Sequence, residues 1–517
     1  MADEPDVDVV IVGAGPVGLV TALLLARRGW TSHIVERHPE AYGRPRAVSM
    51  DPETSRTMQR LGLVGEVHAG AAFTTFYDWF GVDGGLLLRF DRSEEAPAGW
   101  HPMIFNQPDF EAIVERHAVA DPRISITRGV DAVDILESAD GVALRLGDPR
   151  SGEDRGTITG RFLVGADGAS SFTRKWMRTE LDDLGYFYDW LIVDVIPHDQ
   201  DRDWGDSSIQ LCAPERPTTV VPGGNGRRRW EFMVMPGDDP VTIAEPESVW
   251  RLVAPWGLGP DNAELERSAV YTFQARWAKD WVRGRVALAG DAAHQMPPFA
   301  GQGFNSGVRD AANLVWKLDA ILDGRAPLGL LDSYTTERAE HVQYAIRFSV
   351  ELGRVVCVLD EDEARARDAR MLAFAGDPAR ALPRLPAAAF THGILDGGPG
   401  GTLVPQYRVT APGHPKPTRF DDVMWEAADD ALLVTREPMA LDGATLERLA
   451  AAGGRVVQFG VHVFDVDDRY AAEFDRIGAV AYLARPDGYY YGAATTPAQI
   501  AELVTSYADA ITLGISR

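Results

Sequence analysis

The start of the chain shows two short apolar runs separated by a stretch with helical spacing. Residues 7–12 alternate and then run apolar, which predicts a buried strand, and residues 31–35 repeat that pattern. Between them, residues 19–28 show the apolar spacing of a helix, and Gly29 is placed to end it. A strand, a helix and a second strand in this order predict a parallel βαβ unit of an α/β domain.

A glycine-rich turn joins the first predicted strand to this helix. Gly13, Gly15 and Gly18 have the spacing with which dinucleotide-binding folds approach a pyrophosphate, and Glu36 follows about twenty residues later, where an acid binds the ribose. A fortuitous glycine turn is the alternative, but here strand, glycines, helix, strand and acid all fall in order. The predicted cofactor contacts of this region are Gly13, Gly15, Pro16, Val17, Gly18, Glu36 and Arg37.

A third apolar run, past mid-chain, leads to a carboxylate and then to a second glycine-rich loop. Residues 286–289 predict a buried strand followed by Gly290 and Asp291, and open α/β sheets bind ligands at that end of their strands. An acid there suits hydroxyl groups better than phosphates. A helix is predicted from Asn305 onward, and bare glycine amides at a helix start favour partial negative charge. The loop between them contains Pro297, Pro298, Gly301, Gln302, Gly303 and Phe304.

Between residues 190 and 273 the apolar period changes to two, which predicts an antiparallel sheet with one covered face. The aromatic-rich stretch 73–100 predicts a strand-rich insertion ahead of it. The pairing register decides which face of the sheet points inward, and the sequence does not give that register. For each candidate, packing in the core is therefore the stronger interpretation and substrate contact the weaker one. These candidates are Gln210, Cys212, Phe232, Val234 and Tyr271.

Three signatures occur in order: the glycine fingerprint, Asp167-Gly168 and Gly290-Asp291. Together they resemble the FAD-dependent aromatic hydroxylases, the single-component flavoprotein monooxygenases related to para-hydroxybenzoate hydroxylase. Residues 229–237 and 301–307 most resemble the 3-(3-hydroxyphenyl)propionate hydroxylases in that family. The resemblance implies FAD and NADH or NADPH as cofactors, with a weak preference for NADH. It also implies O2 as co-substrate and hydroxylation of a phenolic ring through a flavin C4a-hydroperoxide.

The resemblance also assigns site residues beyond the glycine turns. Gln107 is expected at the flavin-side backbone or ribityl chain, and Arg46 at a cofactor phosphate or the incoming nicotinamide. Arg174 resembles an arginine associated with nicotinamide use, and Asp167 is either a helix N-cap, a cofactor contact or both. Among the tentative catalytic residues, Pro297 and Pro298 are expected at the flavin's reactive edge. His294 is either a loop-orienting hydrogen bonder or an acid-base group.

The implied architecture is an α/β fold with a Rossmann-like FAD-binding domain, an inserted antiparallel-sheet substrate domain and a C-terminal thioredoxin-like domain. The expected segments are 1–189 and 274–390 for the FAD-binding domain, the second including a long helix over 330–356 and a linker, and 190–273 for the substrate domain. Residues 391–517 show the strand and helix order of a thioredoxin-like unit. This unit contains no cysteine, so thiol redox chemistry is excluded there and stability or subunit contact, as in a homodimer, remains.

The amino-acid composition limits the classes of partner and the cellular location that we expect. The net charge of −25 argues against nucleic acid and anionic membranes. Only Cys212 and Cys357 are present, which argues against disulfides and a cysteine-rich metal site and predicts a cytoplasmic protein. We expect neither signal peptide nor transmembrane helix, and no metal.

Three other functions remain alternatives to hydroxylation of a phenolic substrate. A nicotinamide-only dehydrogenase would leave Asp167-Gly168 and Gly290-Asp291 without a role. A non-catalytic flavin-binding protein is the second. The third and most serious is a tailoring oxygenase that hydroxylates, epoxidises or performs a Baeyer-Villiger oxidation on an aromatic polyketide, because one scaffold supports several chemistries.

Overall fold

The strand Val7–Val12 lies inside an eight-stranded sheet in the computed structural model, which describes residues 4–41, 43, 46–374, 377–382, 389–425 and 430–514. It pairs in parallel with Ser32–Glu36 on one side and with Asp154–Gly165 on the other. The predicted βαβ unit is therefore confirmed. Across the sheet the strands are Val282–Arg283, Val286–Leu288, Asp154–Gly165, Val7–Val12, Ser32–Glu36 and Ile124–Arg128, with Asp131–Glu137 and Val142–Gly147 attached as an antiparallel hairpin.

The carboxyl ends of three parallel strands meet at one edge of this sheet. Val12 pairs with Gly165, and Gly165 pairs with Leu288. The segments that follow these residues are the glycine fingerprint, Asp167-Gly168 and Gly290-Asp291, so the fold brings the three signatures together. Helices pack on the sheet and lead away from this edge, namely Pro16–Arg27, Gln107–Ala120 and Gly303–Leu322.

The second sheet also has eight strands, and it combines the segment near residue 73 with the period-two region. Most neighbours are antiparallel, but Phe76–Phe80 pairs in parallel with Ser207–Leu211. In order across the sheet, the strands are His294–Gln295, Ala263–Ala278, Leu181–Pro197, Arg227–Met233, Thr218–Gly224, Ser207–Leu211, Phe76–Phe80 and Leu86–Asp91.

The C-terminal unit has its own four-stranded sheet, ordered Gly454–Gln458, Ala431–Thr435, Ala481–Ala484 and Tyr490–Ala494. Its first two strands are parallel and the other pairs are antiparallel. The helices of this unit are Gly443–Ala451, Arg469–Ile477 and Gln499–Leu513, and a small sheet is formed by Arg408–Ala411, His414–Arg419 and Phe464–Asp465. The strands follow the predicted order, and the thioredoxin-like assignment stays a prediction.

The remaining α-helices are Pro52–Arg60, Val64–Ala69, Phe172–Met177, Pro246–Val253, Asp332–Val356, Glu361–Leu372, Pro378–Ala381 and Phe420–Met424, and the short strands Ser49–Met50 and Met103–Ile104 pair with each other. The long helix Asp332–Val356 lies where residues 330–356 predict it. Within the described part of the chain, no helix combines the length and apolar character needed to span a membrane.

A buried group of charges attaches the C-terminal unit to the first domain. Glu337 accepts hydrogen bonds from Lys317 Nζ at 2.8 Å and Arg485 Nη2 at 2.8 Å, while Arg485 also pairs with Asp487. The side chains of Glu337, Lys317 and Arg485 have no exposed surface. Lys317 belongs to the helix Gly303–Leu322, so these ion pairs join the C-terminal unit to the helix that begins at the glycine-rich loop.

Candidate active site

The first glycine turn is shaped for close approach. Gly13 has a φ of 107°, and a Cβ there would collide with the carbonyl oxygen of Ala166, while a Cβ on Gly18 would collide with that of Gly13. Gly15 instead faces open space and is the N-cap of Pro16–Arg27, which has no side-chain cap. The free amides at this helix start fit the pyrophosphate of a dinucleotide.

Glu36 lies at the end of its strand, as predicted, and its carboxylate reaches the glycine turn. It accepts hydrogen bonds from the backbone N–H of Ala14 at 2.9 Å and of His38 at 2.9 Å. The carboxylate is thus fixed beside the turn, within the region where a ribose would lie. Arg37 forms an exposed ion pair with Asp131 at 3.2 Å, and it does not line the cavity described below.

The Asp167 segment combines helix capping with a cavity wall. Ser171 is the N-cap of the following helix, and the Asp167 carboxylate supports the same helix start by accepting from the backbone N–H of Thr173 at 2.9 Å and from the Ser171 hydroxyl at 2.5 Å. Arg174 is buried and donates to the carbonyl of Ala169 at 2.6 Å and to that of Ala292 at 2.7 Å. Arg174 therefore connects the segment after Asp167-Gly168 to the segment after Gly290-Asp291, and it lies outside the cavity lining.

Asp291 presents its carboxylate to the cavity. Gly290 before it has a φ of 62°, and its backbone N–H donates to Asp310 at 3.0 Å, which holds the turn. Within the described residues, no hydrogen bond is formed by the Asp291 side chain, which lines the cavity. An unpaired carboxylate at this edge fits a hydroxyl of a ribityl chain, since a charge-assisted hydrogen bond would satisfy both groups.

His294 is buried beneath the same loop. Its Nε2 lies 2.7 Å from the Asp310 carboxylate, and its ring stacks on Trp281 with centroids 5.3 Å apart. The residue is 1% exposed and lies outside the cavity lining. This position matches the loop-orienting alternative and not a group in contact with substrate.

The proline and glycine loop forms one wall of the cavity, contributed by Pro297, Pro298, Gly301, Gln302, Gly303 and Phe304. Gln302 is the N-cap residue of Gly303–Leu322, but its side chain makes no hydrogen bond to the first backbone N–H groups of that helix. These N–H groups therefore remain available to a ligand. Asn305 is buried behind the loop, donates to the Gly301 carbonyl at 2.6 Å and accepts from the Asp51 N–H at 3.0 Å. Asn305 thus supports the loop without lining the cavity.

Gln107 fixes the backbone opposite this wall. Its Oε1 accepts from the backbone N–H groups of Arg46 at 3.1 Å and Ala47 at 2.6 Å, and its Nε2 donates to Glu111 at 2.6 Å. Gln107 and Arg46 both line the cavity, and Arg46 is exposed. The two predicted contacts are therefore one local unit, in which the glutamine holds the segment that carries the arginine.

The inner face of the second sheet closes the cavity. Of the five substrate candidates, Gln210 and Tyr271 line it. The candidates Phe232 and Val234 pack on the opposite face against residues such as Trp256, because the strand register turns them outward. Cys212 is fully buried in an apolar cluster outside the lining, and burial raises the pKa of its thiol to about 12.

The sequence did not identify several inner-face residues, including Tyr77, Trp190, Ile192, Glu231 and Arg267 in the cavity and Asp194 beneath it. One local signal was available. In Arg227–Met233 the charged residues Arg229 and Glu231 alternate with Trp230 and Phe232, so one face of a central strand had to bury charge. Arg229 forms a two-pronged pair with Asp194 at 2.7 and 3.1 Å.

One cavity of about 490 Å³ connects all these walls, from Gly15 at the glycine turn to Phe273 on the sheet. Its dinucleotide end offers two uncapped helix starts and the Asp291 carboxylate. Its sheet end offers aromatic and polar side chains. These donor and acceptor groups fit FAD, which the glycine turn, the Asp291 carboxylate and the proline and glycine loop would hold.

Comparison with known proteins supports this arrangement. A protein-family model described as an FAD binding domain matches residues 6–349. A probable NADH-specific resorcinol 4-hydroxylase of Rhodococcus jostii (strain RHA1) is 35% identical, over 99% of this chain and 96% of its own. A 3-(3-hydroxy-phenyl)propionate/3-hydroxycinnamic acid hydroxylase of Mycobacterium sp. (strain JLS) is 34% identical, over 88% of this chain and 81% of its own.

Solved structures agree on the fold. The flavin-dependent monooxygenase PieE, in complex with FAD and substrate, aligns with a TM-score of 0.80 at 22% identity, over 98% of this chain and 99% of its own. Aklavinone-11 hydroxylase, with FAD and aklavinone, aligns with a TM-score of 0.75 at 25% identity, over 98% and 100%. The chain therefore belongs to the FAD-dependent aromatic hydroxylases, a family of NAD(P)H-using flavoprotein monooxygenases.

Proposed function

We propose that this enzyme hydroxylates a small phenolic compound beside an existing hydroxyl group, with NADH as electron donor. The observation that carries the proposal is a continuous cavity, which joins the dinucleotide edge of the first sheet to an aromatic and polar face of the second. The names of the two relatives, a resorcinol hydroxylase and a hydroxyphenylpropionate hydroxylase, support a phenolic substrate. The name of the first also supports NADH.

Bound FAD supplies the oxygen chemistry, and the residues of this chain bind, orient and exclude water. The amides at the start of Gly303–Leu322, which no side chain caps, would stabilise negative charge on a reduced flavin ring bound there. Pro297 and Pro298 stiffen the loop at the reactive edge, and the Ser349 hydroxyl donates to the Pro297 carbonyl at 2.7 Å. A rigid, closed loop at this edge would keep water from the reacting atoms.

Arg46 supports the use of a nicotinamide donor. It is exposed at the cavity, and its segment is held from one side by Gln107 and from the other by Arg229, whose Nη1 donates to the Arg46 carbonyl at 3.1 Å. We infer that Arg46 helps to hold the cofactor in its reducible arrangement. Arg174 contributes indirectly, because it fixes the carbonyls of Ala169 and Ala292 behind the cavity.

An aromatic polyketide is the second candidate substrate, favoured by the likeness to aklavinone-11 hydroxylase over almost the whole chain. Cavity size argues for the smaller substrate. The volume of about 490 Å³ lies within the ~300–1,000 Å³ typical of one small-molecule site, and the flavin ring must share it. The remaining space suits one or two rings better than four fused rings.

The test is a substrate screen with purified FAD enzyme. Resorcinol, 3-(3-hydroxyphenyl)propionate, 3-hydroxycinnamate and aklavinone are each added with NADH or NADPH, and NAD(P)H oxidation is followed together with product mass. We expect a single-ring phenol to accelerate NADH oxidation and to gain one oxygen, while resorcinol dimethyl ether, which has no free hydroxyl, does not react. Acceleration by aklavinone alone would favour the polyketide alternative. Acceleration without a mass change for any compound would contradict a hydroxylase function.

We also propose a cytoplasmic location and a homodimer. The two cysteines are buried and unpaired, which suits a reducing compartment that supplies NADH. The C-terminal unit carries exposed apolar side chains at Val461, Phe464 and Val466, which supports a role in subunit contact. Light scattering on the purified enzyme tests the dimer, and a monomer at micromolar concentration would contradict it.

A further inference from the structure

The helix Pro52–Arg60 lies between the C-terminal unit and the proline and glycine loop, and the C-terminal unit binds it through ion pairs and hydrogen bonds. Arg56 donates to the two carboxylate oxygens of Asp421 at 2.6 and 2.7 Å, and both side chains are buried. Arg60 Nη1 donates to the Pro486 carbonyl at 2.7 Å. Because breaking a buried ion pair is costly, these contacts hold the helix firmly against the C-terminal unit.

Arg309 connects the start of this helix to the proline and glycine loop. It lies on the helix Gly303–Leu322, and its side chain is only 11% exposed. Its Nε donates to Glu53 Oε2 at 3.0 Å, its Nη1 donates to Gln302 Oε1 at 3.0 Å, and it also forms an ion pair with Asp51. Since the N–H groups of an arginine form a rigid planar fork, one guanidinium fixes the positions of these acceptors relative to one another.

Tyr489 adds a residue of the C-terminal unit to this group. It is 5% exposed, and its hydroxyl donates to Glu53 Oε2 at 2.5 Å, the same oxygen that accepts from Arg309 Nε. Burial alone would raise the pKa of Glu53, but Arg309 and the other neighbours outweigh it and lower that pKa to about 2. Glu53 is therefore a charged acceptor that joins Tyr489 to Arg309.

Arg309 also fixes the orientation of the Gln302 side chain, which lines the cavity. An arginine can only donate, so the amide must turn its Oε1 toward Arg309. Its Nε2 forms no hydrogen bond with any residue that the structure describes. The position of this amide, and of the backbone at the helix start that follows it, therefore depends on Arg309.

We propose that Tyr489 is a positioning residue for the proline and glycine loop, which it reaches through Glu53 and Arg309. The C-terminal unit, which has no cysteine for redox chemistry of its own, thereby helps to set how strongly the site prefers reduced over oxidised flavin. Donor groups stabilise a developing negative charge only while they are held in place, so a loosened loop should weaken this preference. The role is the same whether the substrate is a single-ring phenol or a polyketide.

The test is the midpoint potential of bound FAD, measured in holoenzyme by reduction with dithionite, without substrate or NADH. Two substitutions weaken the connection and keep the charge, so a shift reports position. Arg309→Lys loses the fork and should lower the preference for reduced flavin about tenfold, which is about 30 mV for a two-electron couple. Tyr489→Phe loses only the hydroxyl, and because the bonds from Arg309 to Glu53 remain, it should lower the preference about threefold, or about 14 mV.

Tyr490→Phe is the matched control. Tyr490 is fully buried, and its hydroxyl donates to Glu473 at 2.7 Å inside the C-terminal unit, away from the helix Pro52–Arg60. This variant should lose stability as Tyr489→Phe does and keep the potential of wild type. In the Arg309→Lys background, Tyr489→Phe should cause no further shift, because its effect passes through Arg309.

A folded Tyr489→Phe with the potential of wild type would overturn the proposal, as would an equal fall in Tyr490→Phe. Shifts that add in the double variant would also overturn it, because Tyr489 would then act independently of Arg309. If Arg309→Lys does not retain FAD, the two tyrosine variants still decide. None of these measurements uses substrate or NADH, so a failure here leaves the hydroxylase function to be judged by the substrate screen.

Discussion

Glu337→Gln tests how the C-terminal unit is held on the flavin-binding domain. Burial alone would raise the pKa of Glu337, but Arg485 and Lys317 outweigh it and lower that pKa from 4.5 to about 2. Since one pKa unit corresponds to about 1.4 kcal/mol, this change contributes about 3 kcal/mol to the free energy of unfolding at pH 7. The figure agrees with the ~3–5 kcal/mol lost when one partner of a buried ion pair is removed.

The pH dependence has a definite sign. Because folding lowers the pKa of Glu337, its contribution is complete above the unfolded value of 4.5 and is lost as the pH falls through about 2. The glutamine variant does not titrate there. The difference between wild type and Glu337→Gln should therefore be about 3 kcal/mol at pH 7 and shrink to roughly 1.4 kcal/mol at pH 3.

The assay is urea denaturation at pH 7, 4 and 3, followed by tryptophan fluorescence and by release of FAD fluorescence. Glu351→Gln is the matched control, because Glu351 lies on the same helix and pairs with Arg354 at the surface. Its cost should stay within about 0.5 kcal/mol at each pH. A loss below about 1 kcal/mol for Glu337→Gln at pH 7, or a difference that does not change with pH, would refute the reasoning.

Three further predictions concern the cavity. Asp291→Ala should weaken FAD binding by roughly 1.5–3 kcal/mol through loss of a charged acceptor, measured by flavin-fluorescence titration, and full occupancy at nanomolar protein would count against this role. Arg46→Ala should slow substrate-stimulated flavin reduction in stopped flow far more than it weakens substrate binding, whereas equal losses would indicate a general folding defect. Ile192→Ala, on the inner face, should raise the KM for the phenolic substrate roughly tenfold, while Phe232→Ala, on the outer face, should lower stability by about 3–5 kcal/mol with KM unchanged.

The features that the sequence predicted well are local ones. The glycine turn, Glu36 and the strands at both ends of the first domain follow from the spacing of residues that are neighbours in the chain. The same holds for the helix Asp332–Val356, whose buried side repeats at helical spacing, although Glu337, Arg338 and His341 on that side are polar. The sequence analysis does not predict the helix Arg469–Ile477, although the length of this helix and the spacing of its apolar residues are local properties.

The features that the sequence did not predict depend on pairing between distant segments. Phe232 and Val234 point outward because Arg227–Met233 pairs with Leu181–Pro197 in a register that turns Glu231 inward, and one residue of slip would have reversed this. Nothing in the sequence singles out Arg267, and its burial follows from the pairing of its strand, which puts it opposite Asp194. On Arg227–Met233 the charged residues alternate with apolar ones, but the charged face is buried as well, and such buried charge marks the site.

The most direct test of the account is the fate of labelled oxygen. The enzyme is supplied with NADH, the phenol identified by the substrate screen and oxygen-18 gas, and the products are analysed by mass spectrometry together with released peroxide. The account predicts one labelled oxygen atom in the aromatic product and little peroxide. Label found only in water or peroxide, with the phenol recovered unchanged, would contradict it, because the enzyme would then be an NADH oxidase and not a hydroxylase.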